Sequence, residues 1–577
     1  MAPATFGGTL PNGTPGERAE CCAGNPVERA ECCAGSVVSA GGQVAARALI
    51  AELLDHPWGQ VSPSVYETGR LVTLSPWLTG DAKRIRFLLD AQRPDGGWGA
   101  PDDGYALVPT LSATEALLSA RRRPPGGGHG APGRELTRAA ARGLDLLSGL
   151  LSGAGPALPD LPAIELIVPY LVALINRHLA ADSGDRLPCP AGVDDAKLTA
   201  VRAALAGGRG APRKLWHALE VAGDVAQGLP QIRPELSGTI GASPAATAAW
   251  LGERGPVQPG DAARWHLETV SALHDGPVPC GFPITVFERA WVVSWLGRSG
   301  VPLAAPPQLV LSLTAPLGPD GTPAAAGLPA DADTTAGALY ALSLLNAQHR
   351  PDPLWEYETP THFCTWPGED GASTTTNAHV IEAFGHYLET MGPERIGGHL
   401  ARRYAAAVDK AAAWLRARQR ADGSWTDRWH ASPYYATASC ALALARFDRE
   451  RSREAVNRAR RWVLATQRPD GSWGRWRGTA EETAYAVQIL LNRGGGHAAG
   501  DDPPDEASVR AAMRGRVHLL RPLSRTDAEE PALWHDKDLY RPAAIVRAVV
   551  FGALNLTKAE QLVIMGISTA KATSGHK

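Results

Sequence analysis

The chain has 577 residues, 44% of them hydrophobic, with 57 basic against 59 acidic side chains and a net charge of −2. That length exceeds one ordinary core, so two or three globular domains are expected. The balanced charge gives no support for a nucleic-acid partner or a polybasic membrane-binding surface, so any anionic ligand must be held by local charge.

The N-terminal stretch repeats Glu-Arg-Ala-Glu-Cys-Cys-Ala-Gly at 17–24 and 28–35, carrying Cys21, Cys22, Cys32 and Cys33. Vicinal cysteines could bind a soft metal, but no histidine lies near them and the segment is rich in Gly and Pro. Residues 1–42 are therefore expected to form a disordered tail without a catalytic role. They lack a basic region followed by an apolar one, and no run in the chain approaches eighteen consecutive apolar residues. Neither a secretory leader nor a membrane-spanning helix is expected, which places the protein in the cytoplasm. Cys189, Cys280, Cys364 and Cys440 are scattered singly, as reduced and mostly buried thiols would be.

From about 45 to 555, helical patterns alternate with Gly/Pro turns and strand-like alternation is scarce, so the fold class is all-α. Leu136–Leu151, Leu198–Ala206, Ala405–Arg418, Glu454–Ala465 and Glu481–Leu491 carry apolar residues at spacings of three and four, as a helix with one buried face requires. One turn signature occurs three times: Gln92-x-x-Asp95-Gly-Gly97-Trp98, Gln419-x-x-Asp422-Gly-Ser424-Trp425 and Gln467-x-x-Asp470-Gly-Ser472-Trp473. Each follows an apolar helical stretch. The Gly is suited to end that helix, the Trp to plug the next, and the Gln and Asp to bond exposed backbone ends. Such repeats mark helical pairs arranged in a ring or stack, and indicate scaffold with no direct part in chemistry.

Asp331-Ala-Asp333-Thr334-Thr335 places two carboxyls two residues apart before an Ala-rich helical run. Crowded carboxyls resist joint ionisation, so one keeps its proton and becomes a willing acid. Taken alone, Asp before such a helix reads as an N-cap that satisfies backbone amides. Farther on, Asp501-Asp502-Pro-Pro-Asp505 spells the metal-binding signature of enzymes that ionise a diphosphate, but its prolines and the Gly-rich run before it predict a loop, where the carboxylates cannot align.

Acid pair and repeats together resemble the class II terpene cyclases, and many further blocks resemble the bacterial diterpene cyclases of copalyl or terpentedienyl diphosphate synthase type. These include Pro63-Ser-Val-Tyr-Glu-Thr-Gly69, Trp216-His217-Ala-Leu-Glu220, Gly281-Phe-Pro-Ile-Thr-Val-Phe-Glu288, Phe363-Cys-Thr-Trp-Pro-Gly-Glu369 and Leu533-Trp-His-Asp-Lys-Asp-Leu-Tyr540, spread over roughly 60–550. The resemblance implies two α-barrel domains of squalene-hopene cyclase type, with the active site between them. The β domain is expected at 43–76 plus 301–555, the inserted γ domain at 77–300, and a C-terminal tail at 556–577. The Pro/Gly stretches at 123–133 and 494–504 are expected to be surface loops.

The resemblance makes Asp333 the proton donor, Asp331 its tuner and Asn377 the residue that hydrogen-bonds the donor carboxyl, with Ser373 able to hold a water one helical turn earlier. Thr334 stands at the fourth place of the usual Asp-x-Asp-Asp pattern, where the third carboxylate would be. His217 matches a histidine of the terminal deprotonation dyad in some relatives, and its asparagine partner is replaced by Cys280. Trp366, Phe282 and Tyr485 are pocket candidates for cation stabilisation by aromatic faces. Lys537 is the implied diphosphate contact. Asp160 and Glu165 are the nearest match to an acidic motif for magnesium, the implied cofactor.

The expected enzyme is an isomerase. It protonates the distal alkene of a linear isoprenyl diphosphate, geranylgeranyl or farnesyl, and closes a labdane- or drimane-type bicycle with the diphosphate retained. A class I synthase or phosphatase would act downstream, and the protein would be a monomer or homodimer. A squalene-type triterpene cyclase and a non-catalytic α-barrel isoprenoid-binding module are the competing readings.

Overall fold

The computed structural model describes residues 44–123, 133–152, 158–182, 185–252, 261–491, 504–520 and 530–564. The duplicated Cys-Cys segments, most of both expected Pro/Gly loops, and Asp501 and Asp502 lie outside these residues; Asp505 caps a helix rather than lying within one. The first half holds α1 (44–55), α2 (Val65–Leu74), α3 (Asp81–Asp90), α4 (Leu107–Arg121), α5 (Gly133–Leu151), α6 (Ile164–Ala181), α7 (Ala196–Ala206), a 3-10 segment (Arg213–Ala226), α8 (Pro244–Leu251) and α9 (Ala262–Leu273). Then come α10 (Thr285–Arg298), α11 (Pro307–Thr314), α12 (Ala332–Leu344), α13 (Thr374–Ile396), α14 (Gly398–Arg418), α15 (Pro433–Phe447), α16 (Arg449–Ala465), α17 (Ala480–Leu491), α18 (Glu506–Leu519) and α19 (Ala543–Ile564). Between α18 and α19, β1 (Trp534–His535) and β2 (Leu539–Tyr540) form an antiparallel hairpin, the one sheet among the described residues.

Helix packing closes two rings. In the larger, α10, α12, α13, α15, α17 and α19 each touch the next, and α19 returns to α10. Helices α11, α14, α16 and α18 pack outside them. The division follows side-chain character: α12, α15 and α17 are buried along almost their whole length, whereas α14 and α16 bury one stripe. The smaller ring runs α2, α4, α6, the 3-10 segment and α8, and returns to α2, with α3, α5, α7 and α9 outside.

The expected domain boundaries need correction. Helix α2, expected with β, belongs to the smaller ring, and α10, expected with γ, closes the larger one. Burial marks neither junction, because both helices bury most of their length, charged residues such as Glu67, Arg70 and Glu288 included. The expected tail at 556–577 is also shortened, since α19 runs on to Ile564. One helix, α6, is long and apolar enough to cross a membrane by length and composition, with mean hydropathy 1.4, but 56% of it is buried in the fold, as a core helix would be.

The three repeated turns share one geometry. Each Gln amide donates to the Gly carbonyl of its own turn and to a carbonyl of a neighbouring helix: Ala139, Ala455 and Ala511. Each Asp accepts from the backbone N–H two residues on, and each Trp indole donates to the helix that precedes the turn. The Gly between them has φ of +93°, +98° or +86°, a conformation that resists side chains. The turns are scaffold, as their composition predicts.

Candidate active site

Asp331 is the N-cap of α12. Its Oδ1 accepts the backbone N–H of Thr334 at 2.6 Å, so the capping role and the paired-carboxyl role fall on the same residue. Burial, followed by the charge of Asp333, pushes its pKa up to about 7 in spite of that bond. Thr334 is buried beside it. Asp333, in the first turn of α12, keeps 13% side-chain exposure. Its Oδ1 lies 2.8 Å from Nδ1 of His379, and no donor among the described residues reaches Oδ2.

His379, and not Asn377, is the partner of the Asp333 carboxyl. Asn377 instead accepts from the N–H of Phe363 and donates to the carbonyls of Phe363 and Ser373, each at 2.9 Å, stitching the 363 loop to the start of α13. Ser373 caps α13 and donates to Asp427 at 2.8 Å, so its hydroxyl is spent on structure rather than on a water. Asn377 and His379 are two residues apart on one helix, and the crossing of α13 on α12 decides which faces Asp333. The His379 ring stands edge-on to Trp291 at 4.8 Å, and its Nε2 is buried without a partner among the described residues. Gly337, one turn after Asp333, allows this approach: a Cβ there would lie 2.5 Å from the Trp291 ring.

Trp291 begins an aromatic wall. Its indole donates to the Tyr435 hydroxyl at 2.9 Å; Phe287 packs at 4.4 Å, and Tyr435 meets Trp534 at 4.7 Å and Tyr485 at 5.5 Å. Tyr485 thus belongs to the wall, with its hydroxyl on Glu481. Trp366 is half-buried and meets Trp429 at 5.3 Å, both indole N–H groups lacking an acceptor among the described residues. Phe282 packs apart, against Trp58, and lines a separate cavity of about 610 Å³ with Trp265 and Arg541. Sequence reading missed Phe287, Trp291, Tyr435 and Trp534 as pocket residues, although Phe287 and Trp534 lie within the resembling blocks; Trp291 and Tyr435 gave no signal beyond being aromatic.

The β1–β2 hairpin carries the larger ring's residues into the smaller ring. Lys537 at its tip is fully buried, paired with Glu67 at 2.5 Å and Glu220 at 2.9 Å, and donates to Ser243 and the carbonyl of His217. Burial disfavours its charge, but Glu220, Glu67 and Asp536 outweigh burial and hold it protonated. Lys537 is a structural cation, with no freedom to reach phosphate. His217 is equally committed: Nδ1 faces the Gly241 carbonyl at 2.6 Å and Nε2 faces Asp536 Oδ1 at 2.6 Å. Burial alone would lower its pKa, yet Asp536 and the carbonyl raise it on balance. Cys280 is buried nearby, as expected of a reduced thiol.

Residues 376–490 match the family described as the squalene-hopene cyclase C-terminal domain. The chain is 42% identical to an ent-copalyl diphosphate synthase of Streptomyces sp. strain KO-3988, over 89% of this chain and 96% of that protein. It belongs to the bacterial class II diterpene cyclases. The terpentedienyl-diphosphate synthase of Kitasatospora griseola is 33% identical over 86% of this chain and 97% of its own length. The solved ent-copalyl diphosphate synthase of Streptomyces platensis superposes with a TM-score of 0.83 at 43% identity, covering 90% of this chain and all of that one. The chain is therefore an enzyme of isomerase type, with the all-α squalene-hopene cyclase fold.

In this cyclase the candidate metal ligands do not form a cage. Asp160 is 61% exposed and paired with Arg428 at 3.1 Å, and Glu165 is exposed in the first turn of α6. No group of three His, Cys, Asp or Glu gathers for a metal among the described residues. Besides Lys537, two cations among the described residues pair across the rings: Arg428, with Asp160 and Glu369, and Arg475, with Asp103.

Proposed function

We propose that this cyclase converts a linear C20 isoprenyl diphosphate, geranylgeranyl diphosphate, into a bicyclic labdane-type diphosphate. The carrying observation is Asp333, bonded to His379 at 2.8 Å, with its second oxygen open beside an aromatic wall. Relatives named copalyl diphosphate synthase and labda-7,13-dienyl diphosphate synthase, the latter 39% identical, support a labdane-type product and with it the C20 substrate over farnesyl diphosphate. The larger ring is then the β domain and the smaller the γ domain.

Asp333 donates its proton to the distal alkene. An isolated alkene demands a strong acid in a dry site, because water would level the acid and quench the cation. Asp331 raises the proton affinity of the pair until substrate arrives. His379 stabilises the Asp333 carboxylate left behind. The faces of Trp291, Tyr435 and Trp534 carry negative charge density without a nucleophilic lone pair in the ring plane, which suits them to a migrating cation. Arg428 and Arg475, with the indole donors Trp366 and Trp429, are the groups suited to the diphosphate end, in place of Lys537.

Magnesium, the expected cofactor, fits no protein cage here; we assign it to the phosphate oxygens as part of the substrate complex. The product keeps its diphosphate, so a class I synthase or a phosphatase must consume it. A cytoplasmic monomer or homodimer accords with these features.

The test is incubation with geranylgeranyl or farnesyl diphosphate and Mg²⁺, then phosphatase treatment and mass spectrometry. A bicyclic C20 alcohol is expected; unchanged substrate in both incubations would overturn the reading.

A further inference from the structure

The histidine assigned to terminal deprotonation has no free nitrogen, so another group must accept the final proton. Both imidazole nitrogens of His217 face acceptors at 2.6 Å. The other polar groups nearby are neutral or more closed in. Cys280 and Tyr540 are buried and neutral, their pKa values raised by burial. Glu481 is only 2% exposed at its side chain, and His430, Trp534 and Tyr485 all bond its Oε1.

Asp536 differs. Its Oδ1 takes His217 Nε2 and the backbone N–H of Lys537 at 2.5 Å, while no donor among the described residues reaches Oδ2. The side chain keeps 11% exposure, and Oδ2 is not sealed in. Gly281 helps to leave it open: a Cβ there would lie 2.7 Å from Asp536 Oδ2. The hairpin that bears Asp536 also bears Trp534, whose ring meets Tyr435 at 4.7 Å, so Asp536 lies two residues from the aromatic wall that begins at Trp291 beside His379. His217 and Lys537 hold Asp536 ionised against the cost of burial, and a carbocation is so strong an acid that even a weakened carboxylate deprotonates it.

We infer that Asp536 is the terminal base of the cyclisation, with His217 and Lys537 as its positioning residues. The proton economy closes without a co-reactant. The O–H bond of Asp333 breaks, and its proton forms a C–H bond at the distal alkene. Two π bonds give way to two ring σ bonds, moving the positive charge to the far ring. The C–H bond beside that cation then breaks, its electron pair becomes the new C=C, and its proton passes to Asp536 Oδ2. Substrate and product are isomers, and solvent resets both carboxyls after product leaves.

This inference rests on the cyclase reading above, and one experiment separates the two. Wild type, Asp333→Asn, Asp536→Asn and Asp536→Glu are each given geranylgeranyl diphosphate with Mg²⁺, and dephosphorylated products are resolved by mass spectrometry. Asp536→Asn should still protonate substrate but turn over at least ~10-fold more slowly, with KM within ~3-fold, and yield a bicyclic alcohol from water capture or double-bond isomers. Asp536→Glu, which keeps the charge facing His217, should retain folding and shift the product mixture. A merely structural role would slow turnover and leave the product unchanged. Wild-type product alone from both Asp536 variants would overturn the inference and leave the cyclase reading intact; no consumption by wild type would overturn that reading instead.

Discussion

Nδ1 of His379 stands 2.8 Å from Oδ1 of Asp333, and the other nitrogen of the same ring is buried with no partner among the described residues. A buried polar atom left unpaired is costly, and its persistence beside a carboxyl points to proton handling rather than packing. His379→Phe should therefore lower kcat by about 10²- to 10⁴-fold, the range for a lost acid–base contribution, while KM changes little. Asp333→Asn should abolish turnover. Steady-state kinetics on geranylgeranyl diphosphate check both, and a His379→Phe enzyme with wild-type kcat would show that the contact is incidental.

The acid should fail at alkaline pH. Asp331 titrates at about 7, pushed up first by burial and then by Asp333. Below that pH the pair retains a proton; above it the proton is lost, so kcat should fall as pH rises through about 7. In Asp331→Asn the group pushed up to about 7 is gone, so the alkaline limb should leave its wild-type position. A limb at the wild-type position in the variant contradicts the shared-proton account.

Lys537 offers a discrimination between structure and binding. Removing one partner of a fully buried charge cluster strands the others, so Lys537→Met should cost about 3–5 kcal/mol of stability. Thermal unfolding measures this. A phosphate-binding lysine would give the opposite pattern, a raised KM with an unchanged Tm.

Gln467→Ala tests the scaffold reading of the repeated turns. It removes donors to the Gly471 and Ala511 carbonyls, which are 2.9 and 2.8 Å away, and should destabilise by about 1–3 kcal/mol. Product identity should be unchanged. A new product from this variant would mean that the turns shape the pocket.

The helices, the three repeated turns and the acid pair were legible because each is written within a short stretch of chain. Helical periodicity needs only neighbours three and four apart, and a Gly at positive φ followed by a Trp plug is a local device. Asp331 as cap and Asp333 as the open carboxyl follow from their places on one helix start. Tertiary structure decided what no local pattern encodes: that α13 crosses α12 with His379 and not Asn377 toward Asp333, that α2 and α10 exchange rings, and that a hairpin 317 to 320 residues distant in sequence locks His217 and Lys537 into one buried cluster. Such pairings depend on how whole helices pack, and packing is selected by the summed fit of many side chains.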